Sequence, residues 1–220
     1  MSKNRKLTLL SVVLVLGVLV IDQVIKIWVK THMYLGESIE ITSWFQLRFI
    51  ENNGMAFGWE LGGKYLLTSF RILMAPVIGY FIWKQIEKQR PVGLIVCLSL
   101  ILAGDLGNVF DCLFYGEVFN SPAPPSVAQF VPWGEGYSSV MLGKVVDMFY
   151  FPLFDWNMPD WDWLNSVPFL PNAGEHCVFF SAIFNFADAS ISCSIIALLL
   201  FYSNLLKREK PKTHESEESK

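Results

Sequence analysis

The chain has 220 residues, of which 53% are hydrophobic, 15% aromatic and only 17% charged, with a net charge of −3. Its mean hydropathy is +0.39. Soluble globular domains carry about 25% charged residues, so an ordinary cytosolic domain is excluded, as are disorder away from the ends and nucleic-acid binding through net charge. A compact membrane protein remains.

In chain order, residues 7–29 form the first apolar stretch, and a hydrocarbon core needs about 20 helical residues to cross. Lys3, Arg5 and Lys6 precede it, as in a secretory signal, but no small-x-small cleavage site follows and Asp22-Gln23 sits where the run ends. It is therefore read as an uncleaved helix. Segment 30–64 follows. Within it, apolar and polar residues alternate over Phe45-Gln46-Leu47-Arg48-Phe49, the pattern of a half-buried strand, and Asn52-Asn53-Gly54 marks a turn.

Residues 65–83 form a second span, interrupted by Arg71, and residues 92–113 a third, carrying Asp105 and Asp111. Segment 114–177 holds most of the prolines and four tryptophans (Trp133, Trp156, Trp161, Trp163). Such a loop is too aromatic for a solvated tether and is expected on the membrane surface. Residues 178–206 are the fourth expected span, carrying Asp188, and 207–220 a disordered cytoplasmic tail. The expected class is therefore an all-α membrane protein of one domain (1–206), with a small outer-side β element and long outer-side loops.

Orientation follows from the basic residues. Lys3, Arg5 and Lys6, then Lys84, Lys88 and Arg90, then Lys207, Arg208, Lys210, Lys212 and Lys220 share one side, whereas 114–177 holds Lys144 alone against seven acids. The positive-inside rule places both termini in the cytoplasm and segments 30–64 and 114–177 outside.

Ionisable groups inside spans are functional candidates by default. Asp22 and Lys26 lie four apart on one helix face, as either an ion pair bracing the bundle or part of a site. Asp105, Asn108 and Asp111 form a polar stripe, and Gly104 and Gly107 permit close backbone approach, which suits interhelical hydrogen bonding. Arg71 either answers a carboxylate or snorkels outward. Cys112 and Cys177 are both near the outer face and could pair, although Cys97 and Cys193 read as small apolar residues. His32, His176 and His214 are scattered and give no zinc spacing.

Asp188 lies 19 residues before Lys207, about 28 Å at 1.5 Å per residue, near the outer end of a core about 30 Å thick. Asp147 belongs to an apolar run on the same side. Two adjacent carboxylates share a proton, so one can deprotonate water while the other protonates a carbonyl oxygen or leaving amine. On spacing alone, acids that merely brace the bundle remain the alternative. A transporter subunit would place its acids deeper, and a lipid-modifying transferase would show a His or Arg cluster for phosphate.

Five motifs in order resemble those of the bacterial lipoprotein signal peptidases (signal peptidase II), four-helix membrane aspartyl proteases. Asp22-Gln23-Val24-Ile25-Lys26 resembles D-Q-x-x-K, and Asn52-Asn53-Gly54-Met55-Ala56-Phe57-Gly58 resembles N-x-G-x-A-F. Gly104-Asp105-Leu106-Gly107-Asn108-Val109-Phe110-Asp111 resembles G-x-x-G-N-x-x-D. Gly143-Lys144-Val145-Val146-Asp147 resembles G-x-V-V-D, and Phe184-Asn185-Phe186-Ala187-Asp188 resembles F-N-x-A-D.

The resemblance implies Asp147 and Asp188 as the catalytic pair, with Asn52, Gly54, Asn108, Asp111, Asn185 and Ala187 shaping the site. Asp22 and Lys26 are implied as a mainly structural pair. It implies a substrate, a prolipoprotein cut just before a diacylglyceryl-modified cysteine, met in the membrane lipid of the bacterial inner membrane. It further implies no metal or organic cofactor, no nucleic-acid partner, sensitivity to the cyclic peptide globomycin and action as a monomer.

The chain departs from the family in four places. Cys112 stands where the family usually has Arg. Asp105 occupies a position where small residues are commoner. Gly116-Glu117-Val118-Phe119 imitates the start of the fourth motif without its Asp, leaving an insertion of about 27 residues before Gly143. A second insertion, at about 153–177, lengthens the 41-residue interval between Asp147 and Asp188. Their aromatic content and position suggest a lid or interfacial platform beside the pair, with loops that pack only on each other as the alternative.

Overall fold

The computed structural model describes residues 2–53, 63–167 and 170–206. Gly54, the rest of its motif to Gly58, and the tail 207–220 lie outside the described residues. Among the described residues, four helical stretches are long and apolar enough to cross a membrane: Lys3–His32, Gly63–Glu87, Val92–Val118 and Phe186–Leu205.

Helix α1 (Lys3–His32) starts earlier than the apolar run because Ser2 caps it, its side chain accepting from the Arg5 N–H. Helix α2 (Gly63–Glu87) likewise exceeds the expected 65–83. Helix α3 (Val92–Phe110) does not stop near 113. It passes through a π-helical stretch (Asp111–Tyr115) into a short turn, α4 (Gly116–Val118). Such bulges break the regular hydrogen-bond ladder, and here the Gly143 N–H donates to the Cys112 carbonyl at 3.0 Å.

The fold is not all-α. Strands β1 (Ser38–Thr42), β2 (Phe45–Asn52), β3 (Val145–Tyr150) and β6 (Ile183–Phe184) form one antiparallel sheet in the order β1-β2-β3-β6. The alternation at 45–49 is thus the start of β2. Strands β4 (Phe154–Asn157) and β5 (His176–Phe179) form a separate ribbon.

The last span is correspondingly shorter than the expected 178–206. Residues 178–179 and 183–184 are strand, and the helix proper is α5 (Phe186–Ala197), continuing through a π-helical stretch into α6 (Ser203–Leu206). A short apolar run does not by itself distinguish strand from buried helix. The boundary is set by Asn185, whose Oδ1 accepts from the Asp188 N–H at 2.9 Å as an N-cap.

Two apolar clusters bracket the polar middle. One joins Leu7, Ile82, Ile86, Leu94, Ile95, Leu98 and Leu198 toward one end of the bundle. The other packs Val29 and Met33 against Phe49, Val146, Met148, Tyr115, Phe119 and Ala128. The first insertion therefore contributes to a core through Phe119 and Ala128. Phe119 is fully buried and its bridge to Phe130 closes the loop. Phe119→Ala is expected to destabilise the protein by about 3–5 kcal/mol, to be read from denaturation in detergent.

All four cysteines are free, so Cys112 and Cys177 are not paired. Arg71 turns inward, its Nη1 lying 3.7 Å from the Cys112 Sγ. A guanidinium from α2 thus reaches the position where the resemblance expected an Arg on the third span.

Candidate active site

The site grows from Lys26, an ammonium with no exposure on α1. Its Nζ lies 2.8 Å from Asp22 Oδ2 and 2.8 Å from Asp111 Oδ2, and donates to Asn108 Oδ1 at 3.0 Å. Buried charges persist only when paired and hydrogen-bonded, and each partner here has a further task. Asp22 Oδ1 accepts from the Ala187 N–H at 3.0 Å, satisfying an orphan donor in the first turn of α5. Asp111 Oδ2 accepts from the Val146 N–H at 3.4 Å, on β3. One carboxylate thereby holds the element that carries Asp188, and the other holds the strand that carries Asp147.

Small residues make this convergence possible. A Cβ on Gly107 would stand 2.7 Å from Asp22 Oδ2 and 3.2 Å from the Ala187 Cβ, and Gly104 faces the Ala187 carbonyl and Ile191 in the same way. Close approach of α1, α3 and α5 thus needs glycine at these positions.

Asn108 and Asn185 link this frame to the aspartates. Asn108 Oδ1 accepts from Lys26 and, at 3.2 Å, from Asn185 Nδ2, so its own Nδ2 is left to donate to Asp188 Oδ1 at 2.8 Å. Asn185 Oδ1 accepts from the Asp188 N–H, leaving Nδ2 to donate to Asp147 Oδ1 at 2.7 Å. An amide orientation is an assignment made from its hydrogen-bond network. Here both are decided by groups that only donate, an ammonium and a backbone N–H. Asn52 Nδ2 completes the arrangement, donating to Asp147 Oδ2 at 3.2 Å from the end of β2.

Asp147 is 1% exposed. Burial, followed by the neighbouring Asp188 charge, pushes its carboxyl up to about 7, against the opposing pull of the Asn52 and Asn185 hydrogen bonds and of Lys26. Asp188 is half-buried at the first turn of its helix. A carboxyl raised to about 7, beside a second carboxyl that accepts from Asn108, can serve general acid–base chemistry on water.

Of the residues singled out from sequence, Asp22, Lys26, Asn52, Asn108, Asp111, Asp147, Asn185, Ala187 and Asp188 meet in this network, while Gly54 lies outside the described residues. Asp105 does not join. Its Oδ2 is buried without a hydrogen-bond partner among the described residues.

Sequence reasoning missed Gln23, whose Nε2 donates to Asp111 Oδ1 at 2.8 Å and whose Oε1 accepts from the Tyr115 hydroxyl at 3.0 Å. It also missed a second buried cation, Lys30, paired with Glu51 and surrounded by the Tyr137, Phe119 and Phe49 rings at 5.0, 5.3 and 5.9 Å. The one available signal was spacing, since Asp22, Lys26 and Lys30 recur every four residues along one face of α1. Lys144 also reaches Glu51, at 3.1 Å. Burial alone would raise the Glu51 carboxyl, but the Lys30 and Lys144 charges outweigh it and hold it below its usual value. Glu51 precedes Asn52, so this ion cluster anchors the end of β2 beside Asp147.

Among the described residues, no group of three His, Cys, Asp or Glu side chains is arranged to hold a metal ion.

The chain is 47% identical over 190 residues to the lipoprotein signal peptidase of Porphyromonas gingivalis, covering 86% of this chain and 80% of that one. It is 34% identical over 188 residues to the lipoprotein signal peptidase of Amoebophilus asiaticus, covering 82% and 72%. A solved bacterial membrane enzyme has the same fold, with a TM-score of 0.55 at 24% identity over 90% of this chain and 94% of that one. The family described as signal peptidase (SPase) II matches residues 14–204. With that match spanning nearly the whole chain, the protein belongs to the signal peptidase II family.

Proposed function

We propose that the protein is an aspartic endopeptidase that removes signal peptides from prolipoproteins, cutting just before the diacylglyceryl-modified cysteine. The observation that carries the reading is Asn185, whose side chain donates to the Asp147 carboxyl and caps the backbone of Asp188, so that one amide ties the strand of one aspartate to the helix of the other. Membership of a signal peptidase family and the lipoprotein signal peptidase relatives support the substrate class.

In this mechanism the pair holds one proton, on Asp147. Asp188 takes a proton from water as the oxygen attacks the scissile carbonyl, and Asp147 gives its proton to the carbonyl oxygen. The tetrahedral diol collapses as the proton held by Asp188 passes to the leaving nitrogen and a diol hydroxyl returns its proton to Asp147. No acyl-enzyme forms, and Lys26, Asn108 and Asn185 act only by holding the carboxyl groups in place. The basic-residue distribution supports cytoplasmic termini in the inner membrane. The pair would then stand at the outer leaflet, at the depth where a lipid-anchored substrate presents its cleavage site. Inhibition by globomycin and action as a monomer belong to the same reading.

The direct test is incubation of the purified protein with a lipidated preprotein, followed by detection of the released signal peptide. Absence of that fragment with a competent substrate would reject the reading. The pH dependence is a second test. Because Asp147 must be protonated and its carboxyl is raised to about 7, kcat/KM is expected to fall as pH rises through about 7, about tenfold per unit beyond it. A rate still rising at pH 8 would transfer the acid role elsewhere.

A further inference from the structure

The ribbon β4–β5 leaves the sheet between β3 and β6 and has its own two faces. Its register pairs Phe154 with Phe179, Asp155 with Val178, Trp156 with Cys177 and Asn157 with His176. Side chains alternate along a strand, so Phe154, Trp156, Cys177 and Phe179 share one face, and Asp155, Asn157, His176 and Val178 the other. The second face is polar and partly satisfies itself, with His176 Nε2 and Asp155 Oδ2 3.1 Å apart. The first face is aromatic and open. Phe154 is 67% and Phe179 52% exposed, and their rings pair with each other, at 6.0 Å.

A two-stranded ribbon is marginal in water on its own, so an uncovered aromatic face of this kind calls for a cover. Position and chemistry select the bilayer. Only Asn185 separates β6 from the last span, so the sheet stands at the end of the helical bundle. Three residues on each side (151–153 and 180–182) join the ribbon to that sheet, which keeps its base within about 10–13 Å of it at ~3.3 Å per residue. At the tip, Trp161 and Trp163 stack with centroids 5.9 Å apart, both exposed. Tryptophan favours the headgroup zone, where its ring is buried and its N–H stays hydrated. Asp155, Asp160, Asp162 and Glu175 give the ribbon four carboxylates with no Lys or Arg anywhere from 145 to 206. Uncompensated like charge disfavours pairing with a second copy.

We propose that the β4–β5 ribbon lies flat on the leaflet at the Asp147–Asp188 end of the bundle. Phe154, Trp156, Cys177 and Phe179 enter the boundary between headgroups and acyl chains, and Asp155 and Asn157 face water. The ribbon is a membrane-contact element that aligns the sheet edge with the bilayer surface, whatever the reaction at the site.

The full chain in phosphatidylcholine nanodiscs tests this. With the exposed Cys193 replaced by Ala, a nitroxide is placed on the native Cys177. A second preparation carries Asp155→Cys with Cys177→Ser, and a Cys177→Ser control measures any labelling of the buried cysteines. Collision with dissolved oxygen, which concentrates in lipid, is compared with collision with a water-soluble nickel chelate. The expected result is an oxygen-to-nickel ratio several-fold higher at position 177 than at 155. Equal, water-like ratios at both positions would overturn the proposal. Low access to both reagents at 177 would overturn it too, by revealing protein, a second copy included, over that face.

Discussion

Asp188→Asn and Asp147→Asn are each expected to lower the cleavage rate at least about a thousandfold, the scale of general acid–base assistance, in protein that still inserts. Each removes a different half of the proton exchange. An amide at position 188 cannot accept the proton of water, and an amide at position 147 cannot deliver one to the carbonyl oxygen. Their effects on stability differ in an informative way. The Asp147 carboxyl titrates near 7 in the fold, against an ordinary value of 3.8. Its proton is therefore bound more tightly in the folded state, so stability is full below about pH 4 and declines as pH rises toward 7. Asp147→Asn removes that decline. At pH 8 the inactive variant is expected to be no less stable than the parent, whereas at pH 4 it has no such advantage. Thermal unfolding at both pH values beside the cleavage assay checks this, and near-normal turnover of either variant would reject the assignment.

Lys26→Met is expected to cost about 3–5 kcal/mol of stability, the range for removing one partner of a buried charge pair. The loss is large because Lys26 answers two carboxylates at once, each 2.8 Å away. The same substitution also frees Asn108. Without the ammonium on its Oδ1, only the longer bond from Asn185 holds the amide turned toward Asp188, so the pH profile of any residual activity should change along with stability. Combining Lys26→Met with Asp111→Asn removes one stranded carboxylate and is expected to recover part of the lost stability. Denaturation of the single and double variants in detergent gives the coupling. Fully additive losses would mean that the three groups do not act as a unit.

The spans, the acids and the basic-residue asymmetry were legible in the chain because each leaves a local mark. Twenty apolar residues in a row, a carboxylate inside such a run, or a Lys four residues after an Asp can be read without knowing what lies across the fold. The site roles of Asn52, Asn108 and Asn185 came from motif resemblance, since nothing local distinguishes an amide that orients a carboxyl from one that caps a helix. Asn185 does both.

What misled were runs whose apolar character has two explanations. Residues 178–184 carry enough hydrophobicity to extend a helix, but Ile183 and Phe184 pair with β3 instead. The first insertion reads as a lid, a platform or self-packed loops because its sequence shows only turns and aromatics. Its place in a core depends on Phe119 meeting Met33, Met148 and Lys30, residues far away in the chain. Lys30 was passed over for the same reason. Its partners Glu51, Tyr137 and Phe119 lie 21, 107 and 89 residues away.

By itself the sequence determined that this chain crosses a membrane, which residues are too costly to bury without a purpose, and to which family its motifs belong. Hydropathy, charge and motif order are properties of neighbouring residues. Only the tertiary structure decided the work of the Asp22–Lys26 pair. With Asp111 it forms a buried ion cluster whose two carboxylates grip the backbone of α5 and β3 and whose ammonium turns Asn108 toward Asp188. Hydrogen bonds act over about 3 Å, and no pattern along a chain reports which distant backbone N–H comes within that reach.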